Sequence, residues 1–253
     1  MIKVVVIGAG NVAYHLIKAF ANSSTVKVIQ QYKRSLNKEA TDTSIPQTNN
    51  LALLTEADVY ILCVPDDAIV PLSKKIEVKN GLLVHTSGSV DMYDLNPAHR
   101  RGVFYPLQTF SKNSNLDITK VPFCLEAEEE TDLTLLEKLA SSISSHTYTI
   151  NSEQRKSLHL AAVFINNFVN HLYHIGHEIC SENKVPFEVL KPLIVETAQK
   201  IMNISPFEAQ TGPAKRNDVN TIEQQQQAIT QLAHKEIYTL ITHSIQHTYG
   251  KKL

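Results

Sequence analysis

The sequence predicts an α/β fold: a parallel sheet covered by helices, followed by an all-helical C-terminal half. Three observations carry that expectation. Strand-like and helix-like segments alternate through residues 1–151, the pattern of successive βαβ units. A glycine-rich turn, Gly8-Ala9-Gly10, joins the first strand to the first helix. Beyond Asn151 strand signals become few and apolar residues recur at helical spacing.

Ile2–Ile7 is a β-branched, continuously apolar run, as suits a strand buried on both faces. Val12–Ala21 carries Val12, Leu16, Ala19 and Phe20 along one helical face. Val26–Ile29 reads as the second strand and Asn50–Ala57 as a short helix before the strand Val59–Val64, which Pro65 closes. Ile69–Ile76 follows as a helix capped by Asp66 or Asp67. Leu82–His85, Val103–Tyr105 and Phe123–Glu126 are further strands. One long proline-free helix runs from Ser152 to about Glu182, and Pro186–Asn203 and Ile222–Tyr249 extend the helical half. The expected division is a dinucleotide-binding domain at 1–151 and a helical substrate and dimerisation domain at 152–253.

Composition narrows the function classes. The 253 residues are 43% hydrophobic and 19% charged, with a net charge of -1. Such a balance recruits neither nucleic acid nor an anionic membrane. The apolar start of the chain is too short for a signal peptide, and no apolar run approaches the ~20 residues of a membrane span. Cys63, Cys124 and Cys180 lie far apart without metal or redox spacing, so they read as reduced thiols of a cytoplasmic protein.

Gly8-Ala9-Gly10-Asn11-Val12-Ala13 is G-x-G-x-x-A placed between a strand and a helix, the context the dinucleotide fingerprint requires. Gly8 permits the tight turn, and Gly10 has no Cβ to hold a pyrophosphate away. The helix start then offers N–H groups and a positive dipole end to the phosphates. NAD enzymes place an acid at the end of the second strand for the ribose hydroxyls. Here the segment is Gln30-Gln31-Tyr32-Lys33-Arg34-Ser35. Two cations and a hydroxyl suit a 2′-phosphate, so the expected cofactor is NADP(H).

With this turn, Cys63-Val64-Pro65-Asp66-Asp67, His85-Thr86-Ser87-Gly88-Ser89, Tyr105-Pro106-Leu107-Gln108-Thr109-Phe110, the helix bearing His159 and Asn167, and Thr211–Asp218, the chain resembles a superfamily of reductases and dehydrogenases. It comprises the 6-phosphogluconate and β-hydroxyacid dehydrogenases and the pyrroline-5-carboxylate reductases. More closely, it resembles NADP oxidoreductases that join a Rossmann-like domain to a helical C-terminal domain of unknown function. The resemblance implies that Cys63, Val64 and Pro65 lie beside the cofactor ribose, and that helical domains pair to form a homodimer. It does not carry over the hydroxyacid mechanism. The lysine that hydroxyisobutyrate-type enzymes place four residues before the helix asparagine is Ala162 or Val163 here.

Ser87, Gly88 and Ser89 end a strand at the edge where ligands of open α/β sheets bind. They either present hydroxyls and N–H groups to a substrate or form a tight turn that needs glycine. His159 is either the general acid/base of hydride transfer, with Asn167 two turns on as its partner, or a histidine satisfied in a domain contact. Arg216 is either an anchor for a substrate anion or one half of a surface ion pair with Asp218. His171, His174 and His177, spaced by three, drift round the helix by about 60° a step, and no metal is expected.

The expected function is transfer of hydride between NADP(H) and a small anionic carbonyl or imine compound. The alternatives are a non-catalytic NADP(H) sensor and an enzyme passing hydride between NADP and a deazaflavin.

Overall fold

The computed structural model describes residues 1–36, 45–78 and 80–250. Among them the chain forms two compact units, Met1–Phe164 and Ile165–Leu253.

The first unit is built on eight strands: β1 (Ile2–Ile7), β2 (Val26–Tyr32), β3 (Gln47–Thr48), β4 (Val59–Leu62), β5 (Leu82–His85), β6 (Arg100–Pro106), β7 (Phe123–Ala127) and β8 (Thr147–Thr149). Their order across the sheet is β3-β2-β1-β4-β5-β6-β7-β8. Every pairing is parallel except β6 with β7, which is antiparallel. Four helices accompany them: α1 (Asn11–Phe20), α2 (Asp66–Ser73), α3 (Glu130–Ser141) and α4 (Ser152–Ala162). Period-two alternation sorts the core. Val4 and Val6 join Leu16 and Phe20 of α1 and Leu136 and Leu139 of α3 on one face, while Val5 and Ile7 join Ile69 of α2 and Leu95 on the other. The order in which strands are added across the sheet reverses at β1, with β2 and β3 on one side of it and β4 and β5 on the other. The carboxyl ends of β1 and β4 therefore flank the switch point where open sheets hold their ligands.

α4 is the helix that matters most for the site. Asn151 and Gln154 cap it reciprocally, Gln154 N–H to Asn151 Oδ1 at 2.9 Å and Asn151 N–H to Gln154 Oε1 at 2.9 Å. Its Arg155 side chain is fully buried and forms an ion pair with Glu126 of β7. The same guanidinium donates to the Val90 carbonyl and to Ser152 Oγ at 3.1 Å. Glu126 accepts the Ser152 N–H at 2.8 Å and the Ser152 hydroxyl at 2.8 Å. The network bolts the first turn of α4 to the sheet.

Several elements differ from the sequence expectation for identifiable reasons. Asn50–Ala57 is a single 3₁₀ turn, Leu51–Leu53, rather than a helix. The Gln30 amide accepts the Thr55 N–H at 2.8 Å and donates to the Leu53 carbonyl at 2.9 Å, using backbone groups a helix would need. α2 starts at Asp66 with Pro65 in the capping position, so both aspartates occupy its first turn, where the helix dipole favours them. The long helix from Ser152 is interrupted: Val163–Phe168 is a π-helical stretch between α4 and α5 (Val169–Glu182). In the second unit α6 (Lys191–Lys200), α7 (Pro206–Ala209), α8 (Pro213–Arg216), α9 (Val219–Ala228) and α10 (Leu232–Tyr249) follow. α9 and α10 are separate because Ile229 and Gln231 are extended. Thr211–Asp218 is not all loop, since α8 lies within it and closes on Asn217 in the left-handed conformation.

Arg155→Met should destabilise the protein by about 3–5 kcal/mol in urea unfolding, because it strands the partly buried Glu126 carboxylate without its partner. A loss under about 1 kcal/mol would show that the clamp does not hold α4.

Candidate functional site

The glycine turn between β1 and α1 owes its shape to close packing. Gly8 has φ +137°, and a Cβ there would lie 2.1 Å from the Cys63 carbonyl oxygen. Gly8 N–H bonds the Tyr32 carbonyl at 3.0 Å, and buried Gln31 donates its amide to the Gly8 carbonyl at 2.8 Å. These contacts tie the ends of β1, β2 and β4 together. Gly10 differs: a Cβ there would meet nothing within 4 Å. α1 begins at this point with no side-chain cap and no acid in its first turn. A helix start without such a cap or acid, with open space above Gly10, is the setting in which backbone N–H groups can take an anion.

Gly8, Ala9, Gly10, Asn11, Val12, Arg34, Ser35, Cys63, Val64 and Pro65 all line one cavity of ≈ 990 Å³. Lys33, Asp66, Thr86, Gln108 and Phe110 share its wall. Burial pushes the Cys63 thiol up to about 12 against an opposing hydrogen bond with Thr86, so it stays a neutral wall and not a nucleophile. The Lys33 ammonium is held below its usual range, first by desolvation and then by Lys112. Asn11 donates its amide to the Phe110 carbonyl at 2.8 Å, fastening the loop after β6 to the start of α1.

Beside this cavity, the strand ends β5 and β6 meet α4. Tyr105 Oη lies 3.0 Å from His159 Nδ1, with the rings edge to face at 73°. Burial pushes the Tyr105 phenol up to about 12, with smaller contributions from Cys124 and Asp66 raising it and Arg155 lowering it. It therefore stays protonated as a donor, and in the tautomer it favours His159 carries its proton on Nε2. Gly88 packs beneath the imidazole: a Cβ there would lie 2.6 Å from His159 Nδ1. Its φ is not positive, so this close approach, and not a special turn, requires glycine. The buried Ser87 Oγ accepts the N–H groups of Ser89 at 3.0 Å and Val90 at 3.1 Å, stabilising the turn, while Ser89 is exposed. His85 is fully buried. Its Nδ1 accepts the Ser87 N–H at 3.1 Å, and desolvation, then Arg155, holds it down to about 3, so it is neutral.

The structure thus brings His159, Gly88 and Ser87 together and adds Tyr105, to which the sequence reading gave no chemical role. Asn167 and Arg216 belong to the second unit. Asn167 lies in the π-helical stretch, where the α-helical spacing behind its pairing with His159 does not hold. Arg216 ends α8, and Asp218 is chiefly the cap of α9, accepting the Thr221 N–H at 3.2 Å and its hydroxyl at 2.8 Å. Arg216 contributes only the last of the attractions that hold Asp218 below the usual carboxylate range. Among the described residues no three His, Cys, Asp or Glu side chains are grouped so as to hold a metal ion, and no helix is long and apolar enough to cross a membrane.

Residues 3–87 match the family described as NADP oxidoreductase, coenzyme F420-dependent, and residues 121–245 match a domain of unknown function, DUF2520. A crystal structure from Bacteroides fragilis, described as a putative NADP oxidoreductase, is 38% identical, with TM-score 0.88 over 97% of this chain and 98% of that one. Two more distant structures share the fold. Pyrroline-5-carboxylate reductase from Streptococcus pyogenes is 16% identical, with TM-score 0.64 over 99% of each chain. Pyrroline carboxylate reductase from Plasmodium falciparum with NADP bound is 14% identical, with TM-score 0.59 over 96% of this chain and 98% of that one. No curated protein matches the chain.

The two glycines of the turn should separate in mutagenesis. Gly8→Ala should lower stability by about 3 kcal/mol, through a forced left-handed conformation and the collision with Cys63. Gly10→Ala should leave the urea midpoint unchanged and weaken dinucleotide binding about ten-fold. Equal effects of both changes on stability would contradict the assignment.

Proposed function

This chain belongs to the NADP oxidoreductase family that joins a nucleotide-binding α/β domain to DUF2520, and from that premise we propose that it transfers hydride between NADP(H) and a small anionic carbonyl or imine compound. The observation that carries the proposal is the single cavity shared by the glycine turn, the end of β2 and the segment after β4, with open space above Gly10 and cations at the end of β2. In this reading the first-turn N–H groups of α1 bind the pyrophosphate. Lys33, Arg34 and Ser35 bind the 2′-phosphate, which NAD lacks, and Cys63–Pro65 flank a ribose. The NADP-bound pyrrolinecarboxylate reductase of the same fold supports that choice of cofactor.

NADPH supplies the hydride; the protein supplies orientation and a proton. Hydride reaching the carbon of a C=O or C=N group leaves negative charge on its oxygen or nitrogen. As the imidazolium, with its Nδ1–H donating to the Tyr105 hydroxyl oxygen, His159 delivers its Nε2 proton there and is left neutral, giving an alcohol or an amine. Tyr105 is the positioning residue. Ser87, Gly88 and Ser89 form the wall on the substrate side. Arg216 is read as the anchor for a substrate anion, and Asn167 as a partner of the reacting group. DUF2520 is read as the substrate and dimerisation domain. In the second unit Ile175, Ala214, Ile222 and Thr242 are the buried described residues, whereas Val189, Leu193, Met202, Leu232 and Leu240 are exposed. A second copy of the chain would cover such a surface, and sedimentation velocity at a single-chain mass would exclude it. The F420-dependent family match favours, as a second reading, a deazaflavin as the hydride partner.

Calorimetric titration should give micromolar binding of NADPH and at least ten-fold weaker binding of NADH. No binding of either overturns the proposal. In a substrate panel that includes a deazaflavin, His159→Gln should lower kcat/KM about 100-fold and Tyr105→Phe by less. Because Tyr105 titrates only near 12, its loss should remove no step from the rate profile between pH 6 and pH 10. An unchanged rate in His159→Gln would remove the proton-donor assignment.

A further inference from the structure

We propose that Lys112, on the loop after β6, is a third cation of the 2′-phosphate site and helps to set the preference for NADP(H) over NAD(H). The inference rests on the reading of the cavity as an NADP(H) site. Lys112 lies 78 positions beyond Arg34, outside every motif that suggests the cofactor.

Its placement comes from the loop that carries it. Phe110 is held by the Asn11 amide at 2.8 Å, and Ser111 offers its carbonyl to His15 Nε2 at 2.8 Å. The His15 and Phe110 rings also lie against each other, with centroids 5.5 Å apart. Both anchors are on the first two turns of α1, so the residue that follows Ser111 is fixed relative to the phosphate-binding turn. Lys112 and Lys33 then border the same space beside α1, with Ala9 and Tyr14 on its wall. Ala9 and Lys33 border the nucleotide cavity as well. The two spaces therefore adjoin between the phosphate-binding turn and the end of β2, where a 2′-phosphate is read to sit.

Charge agrees with this geometry. Lys112 makes the Lys33 ammonium harder to protonate, in addition to the effect of burial. A like charge brought to the same space disfavours the Lys33 ammonium, and the sequence spends two α1 side chains, Asn11 and His15, on holding the loop there. A phosphate monoester carries close to two negative charges at neutral pH and reverses that repulsion. The ribose hydroxyl of NAD(H) does not.

The test is calorimetric titration of the full-length protein with NADPH, NADH and 2′,5′-ADP, comparing wild type with Lys112→Met and Lys112→Arg. Lys112→Met keeps most of the side-chain stem and removes the charge. It should weaken NADPH and 2′,5′-ADP about ten-fold, leave NADH within two-fold, and flatten the salt dependence of NADPH binding. Lys112→Arg should restore most of the affinity. The melting temperature should not move, since Lys112 is exposed. If wild type prefers NADPH and Lys112→Met keeps that preference, the role of Lys112 is overturned and the cofactor reading stands. Equal weakening of NADPH and NADH also overturns it. If wild type binds NADPH and NADH alike, the cofactor reading itself fails, and this inference with it.

Discussion

The ion pair between Arg155 and Glu126 is the constraint on which the candidate site depends. An arginine side chain with no exposure is tolerated only where its charge is matched; both terminal nitrogens of Arg155 are bonded, while its buried Nε has no hydrogen-bond partner among the described residues. The guanidinium meets Glu126 on β7, the Val90 carbonyl after β5 and Ser152 at the head of α4. Three segments distant in sequence are thereby held at one point, a task that suits the fixed fork of arginine better than a flexible ammonium. One helical turn later along α4 comes His159, on the same face at i+4. The imidazole reaches Tyr105 and lies on Gly88 because the helix carrying it has been fixed first. Lys156 reinforces the arrangement through Asp91 at 2.9 Å.

Around that fixed point the titratable groups divide by environment. His85 and Tyr105 are desolvated and stay neutral, and the thiols of Cys63 and Cys124 are pushed up to about 12 and about 11. None of these is suited to exchange a proton near neutral pH. His159, half-buried and hydrogen-bonded to Tyr105 through Nδ1, is the side chain read as the proton donor. At the other end of the site the chemistry is fixed: backbone N–H groups, Lys33 and Arg34. In the proposed reading these positive groups serve the phosphates and His159 serves the reacting centre, the division of labour of cofactor enzymes.

How much of this was legible in the sequence depended on range. The phosphate-binding turn is a local signal: Gly8, Gly10 and Ala13 act through neighbours in the chain, and the β2 end announces its cations within a few residues. β5, the core of β6 and β7, and the helical character of the second half were legible in the same way. The roles of Tyr105 and Arg155 were not, since Tyr105 meets His159 across 54 positions and Arg155 meets Val90 across 65. Gly88 invited a turn explanation, yet its reason is a ring from another segment. The missing helix at Asn50–Ala57 is undone by the side chain of Gln30, in hydrogen-bond contact with it in space yet 25 positions from Thr55 in sequence. α3 was within reach, as Leu133, Leu136 and Ala140 keep helical spacing, whereas β8 is a three-residue edge strand too polar to declare itself.

The most direct test of the central claim is a crystal structure of the protein with NADP bound. The account predicts the pyrophosphate over Gly10 at the start of α1, the 2′-phosphate against Lys33 and Arg34, and the nicotinamide ring at the Thr86–Gly88 end, toward His159. A dinucleotide bound elsewhere, or one whose nicotinamide ring lies at the β2 end, would contradict it.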